Sequence, residues 1–182
     1  LTPRDLLYPE EDDFVVTNDN HVRNCAYLKS ALESALAGRP GVRVFQDNRV
    51  NFQVPGLQPL GPDVTVLAGV PADWNPLRGT LPLRDLGATP LLLIEVTSPS
   101  TRDGDLDQKV LLYQRAGAPV YVLADVRVDN DDEPFMAVMG YRLDGGRYVR
   151  AEPDADGVLW VPEVGVGFRP DRLLLAVVDA DG

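Results

Sequence analysis

The segment Pro90–Thr101 reads PLLLIEVTSPST, and it decides how the rest of the chain is organised. Its run from Leu91 to Ile94 is continuously apolar, which is typical of a strand buried on both faces of a sheet. The run ends at Glu95, and a turn rich in Ser, Thr and Pro follows. A buried carboxylate is costly unless it meets a cation, a metal ion or several donors. Glu95 is therefore the first candidate functional residue; the alternative is that it already lies in solvent at the strand end.

The composition is that of one globular domain. The chain has 182 residues, of which 45% are hydrophobic, and this is enough for a sizeable core. A single cysteine, Cys25, excludes an intrachain disulfide and favours a reducing compartment. No apolar run reaches the roughly 18 residues of a membrane span. We expect a cytoplasmic protein with one domain over 1–182, comprising an N-terminal arm (1–20), an irregular loop (69–89) and a C-terminal meander (126–182).

The charge limits the classes of partner. A formal net charge of −11 argues against broad adhesion to nucleic acid, because phosphate binding depends on clustered Lys and Arg. It leaves room for a local basic cleft. Of the 17 basic residues only Lys29 and Lys109 are lysines, and a lysine offers a compact charge that can lose its proton.

A helix is predicted from about His21 to Ala37. The Asn-Asp-Asn sequence at 18–20 supplies good N-caps, and apolar residues recur at helical spacing from Cys25 onward. His21 and Cys25 lie four residues apart and could both face a metal ion, but two ligands without partners elsewhere make a weak site. A histidine at a helix start and a core thiol are the favoured interpretation.

A second helix is predicted from Asp103 to Gly117, soon after the central strand. Leu106 and Tyr113 mark its inward face. Lys109 lies beside that face and can point along the edge of the packed surface. The alternative is that Lys109 forms an exposed pair with Asp105, four residues earlier.

The other extended runs predict a mixed sheet. Val42–Gln46 and Arg49–Val54 flank Asp47-Asn48, which predicts a hairpin with a two-residue turn. Val64–Ala68 is a further strand, and Pro119–Asp125 follows the second helix, so a right-handed crossover should join it in parallel to the central strand. The runs that predict the antiparallel meander are Pro134–Arg142, Arg147–Glu152, Val158–Val161 and Val166–Leu175.

The segment 69–89 contains several Pro and Gly residues that break any periodicity. It predicts a surface loop with a short turn of helix, and long loops are often functional. Trp74, Arg78 and Arg84 could help to hold a ligand. The favoured alternative is that Trp74 pins the loop to the body.

Two carboxylates stand at strand boundaries, and a helix can direct an amine towards them. Asp63 precedes one strand, Glu95 ends another, and Lys109 follows on the second helix. Two carboxylates with a backbone carbonyl form a hard oxygen site that suits Mg²⁺ or Mn²⁺. A nearby ammonium can orient a water and stabilise charge on phosphorus. The sequence therefore predicts phosphodiester hydrolysis.

An ordered set of motifs extends over roughly His21 to Asp125. Its members are GPDV at Gly61–Val64, IEVTSPST at Ile94–Thr101, the residues Asp105, Lys109 and Tyr113, and YVLAD at Tyr121–Asp125. Together these motifs resemble the Uma-type family of putative restriction endonucleases, which belongs to the PD-(D/E)XK nuclease superfamily.

This resemblance implies an α/β fold (mixed α+β) of the restriction-endonuclease type, in which helices flank a mixed β-sheet. It implies that Asp63 and Glu95 are metal ligands and that the backbone carbonyl of Val96 supplies a third oxygen. Our leading hypothesis is accordingly an endonuclease that depends on Mg²⁺ or Mn²⁺ and cleaves DNA, with a homodimer as the assembly to test.

One position departs from the superfamily pattern. The pattern places a lysine two residues after the acid, where this chain has Thr97. Lys109 on the next helix is then the natural substitute, as a migrated lysine would be. Tyr113 and Asp125 also match family positions, and we expect their roles to be mainly structural.

The sequence is also compatible with functions other than DNA cleavage, to different degrees. In one, the fold is a binding module that no longer cuts, with Asp63 and Glu95 retained for hydrogen bonding. Acyl transfer through Ser98 or Ser100 fails for want of partners, because His21 is the only histidine and no nucleophile-elbow pattern surrounds either serine. Duplex binding requires a cluster of arginines near the site, and the candidates are Arg39, Arg43, Arg49, Arg78, Arg84, Arg102 and Arg115.

Overall fold

The computed structural model describes residues 18–97, 105–130 and 133–179. Within these residues the chain forms one six-stranded sheet, one three-stranded sheet, one two-stranded sheet and three helices. The elements in chain order are α1 (Asp19–Ala35), β1 (Val42–Gln46), β2 (Arg49–Asn51), β3 (Val64–Ala68), β4 (Thr80–Pro82), α2 (Leu83–Leu86), β5 (Thr89–Thr97), α3 (Asp105–Ala116), β6 (Val120–Val128), β7 (Pro134–Asp144), β8 (Arg147–Ala151), β9 (Leu159–Val161), β10 (Val166–Asp171) and β11 (Leu174–Asp179).

The six-stranded sheet is mixed, as the sequence predicts. Its strand order is β1-β3-β5-β6-β7-β8. β5 and β6 are parallel and are joined through α3, whereas the other neighbouring strands are antiparallel. The predicted crossover from the central strand is therefore confirmed.

β5 is buried on both faces, and its side chains alternate between two cores. Leu92 and Ile94 pack in the core that includes α1 and strands β9 to β11. Leu93 packs in the opposite core, which includes Tyr113 of α3 and the small β2–β4 sheet. Burying each such side chain contributes about 1.5–3 kcal/mol, so this strand is held strongly in register.

α1 is capped and anchored so that its first turn faces the end of β5. The side chain of Asn18 accepts a hydrogen bond from the His21 amide at 2.9 Å, and the helix begins at Asp19 rather than at His21. Buried Asn24 donates to the Leu173 carbonyl at 2.8 Å and accepts from the Leu175 amide at 3.0 Å. These bonds fix the helix against β11.

The hairpin predicted for residues 42–54 is wrong. β1 pairs antiparallel with β3, while β2 is short and pairs in parallel with β4. Asp47 adopts a positive φ of 53°, and its amide donates to the Asp63 carbonyl at 3.1 Å. The chain does turn at Asp47, as predicted. β2 does not pair with β1 after this turn, because β1 pairs with β3 instead.

The loop predicted for 69–89 is only partly irregular. It contains β4 and α2, and the end of α2 is capped by Gly87 in the left-handed region. Trp74 is buried in the core beside α3, and the Arg78 guanidinium lies 5.8 Å from its ring centroid. The burial of Trp74 in this core supports the interpretation that Trp74 pins the segment to the body.

The C-terminal meander is antiparallel as predicted, but it is divided between two sheets. β7 and β8 extend the main sheet beyond β6, whereas β9, β10 and β11 form the separate three-stranded sheet. The break comes where β10 and β11 pack over the face that α1 also covers. The predicted N-terminal arm lies outside the described residues up to position 17, and none of the described helices has the length and apolar character to cross a membrane.

Candidate active site

The candidate site lies where β3 begins and β5 ends. These strands pair antiparallel with Val64 opposite Ile94, so Asp63 and Glu95 occur at the same end of the sheet. α1 carries His21 to this end on one side, and α3 carries Lys109 there on the other. Asp63, Glu95 and Lys109, which the sequence singles out, therefore lie at the same end of the sheet.

Glu95 is held between two donors. It is only 2% exposed, so the alternative that it lies in solvent is wrong. Lys109 Nζ lies 3.0 Å from Glu95 Oε2, and the Tyr113 hydroxyl donates to Oε1 at 2.5 Å. Burial raises the pKa of Glu95, and the positive charge of Lys109 opposes this effect. A bound cation would stabilise the ionised form further.

Asp63 is oriented by the backbone of Val96. The Val96 amide donates to Asp63 Oδ2 at 2.7 Å, and this leaves Oδ1 directed towards His21 Nε2 at 3.4 Å. The Asp63 side chain is 15% exposed, so it borders the solvent while Glu95 does not. Asp63, Glu95 and the Val96 carbonyl offer oxygen donors, and this donor set fits a hard divalent cation.

His21 belongs to the site, which the sequence alone does not predict. Its Nδ1 donates to the Val96 carbonyl at 2.9 Å, and its Nε2 lies 3.5 Å from the sulfur of Cys25. The hydrogen bond to Asp63 raises the pKa of the imidazole. Burial raises the pKa of the Cys25 thiol. His21 does begin a helix and Cys25 is a buried thiol, but Asp63 joins them in a cluster whose ligand atoms lie within 4.8 Å of one another.

Lys109 forms an ion pair with Glu95, and its side chain remains partly exposed. Its side chain is 23% exposed and forms the ion pair described above. The alternative pairing with Asp105 concerns a side chain outside those described, as does the predicted inward position of Leu106. The contact between the Lys109 amine and Glu95 is therefore the one expected if Lys109 belongs to the carboxylate site.

Thr97, which stands in the usual lysine position, takes part in a separate network. Its hydroxyl donates to Asp125 Oδ1 at 2.7 Å, and Arg127 Nε donates to Asp125 Oδ2 at 2.7 Å. Asp125 is fully buried. This arrangement ties β5 to β6 and agrees with a structural role for Asp125.

We predict that Tyr113→Phe destabilises the protein by about 1–3 kcal/mol near pH 8, because a buried carboxylate oxygen of Glu95 then loses its donor. Urea-induced unfolding of the cation-free protein measures the change. Tyr141→Phe is the matched control, since half-buried Tyr141 belongs to the same group of rings. Equal stability of the two variants would contradict the assigned role of the Tyr113 hydroxyl.

A basic groove runs along β1. Lys29, Arg39, Arg43 and Trp74 line a depression of about 500 Å³ together with Glu33, the ion-pair partner of Lys29. Gln46 also lines it and donates to the Asp47 side chain. Asp47 connects to the site because its amide binds the Asp63 carbonyl. Two of the seven candidate arginines, Arg39 and Arg43, therefore line the groove, and Arg78 lies over the ring of Trp74. The other candidate arginines do not add to the groove. Arg115 donates to the Pro55 carbonyl, and neither Arg49 nor Arg84 lines the groove. Arg102 lies outside the described residues.

Comparisons with known proteins agree with this architecture. A family model described as "Putative restriction endonuclease" matches residues 14–177. Among solved structures, the crystal structure of a putative nuclease belonging to DUF820 from Anabaena variabilis is similar, with a TM-score of 0.59 and 19% identity over 82% of this chain and 76% of that chain. At this identity the likeness shows the fold alone. No curated protein matches the sequence.

Proposed function

The chain belongs to the Uma2 family of putative restriction endonucleases, and from this premise we propose that it is a metal-dependent endonuclease that cleaves DNA. The observation that supports the proposal is that Lys109 pairs with buried Glu95 at the end of the sheet where Asp63 also lies. Glu95 is buried and paired with an amine, an arrangement that costs free energy and is common at functional sites.

Two carboxylates and one carbonyl would hold the cation. Asp63 and Glu95 supply charged oxygens, and the Val96 carbonyl supplies a neutral one, a donor set that suits Mg²⁺ or Mn²⁺ better than softer ions. The cation, when bound, polarises the scissile phosphate and lowers the pKa of the attacking water. The Val96 amide keeps Asp63 in place through its 2.7 Å hydrogen bond.

Lys109 would act on the reacting groups from the opposite side of the site. Its ammonium lies 3.0 Å from Glu95 and is partly exposed, so it can also reach a phosphate oxygen that approaches the carboxylates. A positive charge held in place there stabilises the charge that develops on phosphorus. The amine thus takes the role of the lysine that Thr97 replaces.

DNA would bind along the basic groove of β1. Lys29, Arg39 and Arg43 provide positive charge on a chain whose net charge is −11, so contact is expected to be local and sensitive to salt. Cleavage of both strands of a duplex needs two such sites, and we therefore propose a homodimer. A cytoplasmic location is part of the proposal because Cys25 is a free thiol.

A nicking assay tests the function. We expect the full chain to convert supercoiled plasmid to open circles with Mg²⁺ or Mn²⁺ and to lose this activity in EDTA. Single-stranded DNA and RNA oligonucleotides, assayed in parallel, identify the substrate class. Absence of cation-dependent cleavage of all three would contradict the proposal.

One observation favours a second candidate, a nuclease-like binding module that does not cut. Thr97 occupies the usual lysine position, and its hydroxyl donates to Asp125 instead of facing a substrate. A thermal shift separates the two candidates: stabilisation by Mn²⁺ that disappears in Asp63→Ala favours the enzyme. DNA binding without any such stabilisation favours the binding module.

A further inference from the structure

We propose that His21, Cys25 and Asp63 form a second cation site, which takes a transition-metal ion such as Zn²⁺ in preference to Mg²⁺. His21 and Cys25 lie one turn apart on α1, and Asp63 meets them from the start of β3. The three ligand atoms lie within 4.8 Å of one another. The donor set of one nitrogen, one sulfur and one oxygen differs in chemistry from the all-oxygen set of Asp63, Glu95 and the Val96 carbonyl, with which it shares Asp63.

The backbone of Val96 orients two of the three ligands. A carbonyl oxygen can only accept, so the 2.9 Å contact places the proton of the imidazole on Nδ1 and directs Nε2 towards Cys25 and Asp63. The Val96 amide binds Asp63 Oδ2 and leaves Oδ1 for the same point. Histidine ligands of metals usually donate their other ring nitrogen to a carbonyl or carboxylate in this way.

The two ligand separations that involve His21 Nε2 are close to those of a tetrahedral ion, and Cys25 Sγ lies within 4.8 Å of an Asp63 oxygen. His21 Nε2 lies 3.4 Å from Asp63 Oδ1 and 3.5 Å from Cys25 Sγ. A tetrahedral Zn²⁺ with ordinary bond lengths separates nitrogen from oxygen by about 3.4 Å and nitrogen from sulfur by about 3.6 Å. An octahedral Mg²⁺ would hold neighbouring oxygens about 3.0 Å apart. The measured nitrogen–oxygen separation is therefore closer to that of a four-coordinate ion than to that of octahedral Mg²⁺.

The chemistry of the ligands points the same way. Thiolate and imidazole are soft or borderline ligands, which suit Zn²⁺ and Co²⁺ and are poor ligands of Mg²⁺. Cys25 is 1% exposed, so its sulfur is protected from solvent, while the 15–16% exposure of His21 and Asp63 leaves a side from which an ion can enter. Binding of the ion displaces two protons to solvent, that of the thiol and that which His21 Nε2 otherwise shares with Asp63. Three protein ligands leave a fourth position open.

Another reading of the cluster, a cysteine nucleophile activated by histidine, does not fit. In such a triad the carboxylate binds the histidine nitrogen that does not face the nucleophile. Here Asp63 and Cys25 both face Nε2, and Nδ1 is used by the Val96 carbonyl. The nucleophile would also be too deeply buried to reach a substrate.

Binding of Co²⁺ to the full chain, measured without DNA, tests the site. We expect a thiolate-to-cobalt charge-transfer absorption that Zn²⁺ abolishes by displacement. Cys25→Ser should remove this absorption, and His21→Gln should weaken Co²⁺ binding at least about tenfold. The matched control is Glu33→Gln, on the same helix in an exposed pair with Lys29, which should bind Co²⁺ like the wild type.

The wild-type spectrum is decisive even if a variant fails to fold. Absence of the charge-transfer absorption, or equal Co²⁺ affinity in folded His21→Gln, would overturn the site. Because the assay needs no cleavage, its result is independent of the nuclease proposal. If both proposals hold, Asp63 is shared, and Zn²⁺ is expected to inhibit cleavage by competing for it; only this consequence rests on the proposed function.

Discussion

Glu95→Gln is expected to lower cation-dependent DNA nicking by at least about 10²-fold while leaving the cation-free protein no less stable than the wild type. Glutamine keeps the shape of the side chain but removes the charge that would hold the cation. Burial raises the pKa of Glu95, so its ionised form opposes folding at neutral pH. Glu95→Gln removes only one partner of the ion pair, but the Lys109 side chain is 23% exposed, so its charge stays partly hydrated and the cost of losing the pair is limited.

The two halves of this prediction are measured separately. Plasmid nicking gives the activity, and thermal unfolding with and without Mn²⁺ gives the stability. Mn²⁺ should stabilise the wild type and not Glu95→Gln. Glu152→Gln is the matched control, because Glu152 lies in an exposed pair with Arg150 and its change should alter neither readout. Nicking by Glu95→Gln at the wild-type rate would exclude Glu95 as a ligand.

Local sequence signals predict the centre of the fold well. β5 is found because a continuous apolar run needs burial on both faces, and the crossover follows because a helix of suitable length separates two such runs. The pairing of β2 with β4 is not predictable in the same way. Each strand has three residues, and their partnership depends on contacts between segments about thirty residues apart.

The residues of the site also differ in whether local sequence predicts them. Asp63, Glu95 and Lys109 can be named from the sequence because strand boundaries and helical spacing place them at one edge. The position of His21 beside Asp63 depends on how α1 docks. That docking uses bonds from Asn24 to Leu173 and Leu175, which lie about 150 residues further along the chain. No local pattern contains this information. The helical spacing of His21 and Cys25 shows that these two residues can share a ligand, but the sequence does not show that Asp63 lies beside them.

Lys109→Met is expected to lower the rate of cleavage at saturating DNA by about 10²–10³-fold, the effect of removing one preorganised group that stabilises transition-state charge. Methionine keeps the length and apolar stem of lysine but has no charge. Glu95 would then retain the Tyr113 hydroxyl alone of its two described donors. Loss of the ammonium also raises the pKa of Glu95 further, since Lys109 favours the ionised carboxylate, and this weakens cation binding.

The only other lysine provides the control. Lys29 lines the groove and pairs with Glu33 on the surface, so Lys29→Met should raise KM for DNA with little change in kcat. Lys109→Met should lower kcat instead, and Lys109→Arg should restore only part of it because a planar guanidinium cannot take the place of a compact ammonium. Since Thr97 leaves the usual position without an amine, cleavage at the wild-type rate by Lys109→Met would mean that another group supplies the charge, and the helix-borne lysine would have no part in the reaction.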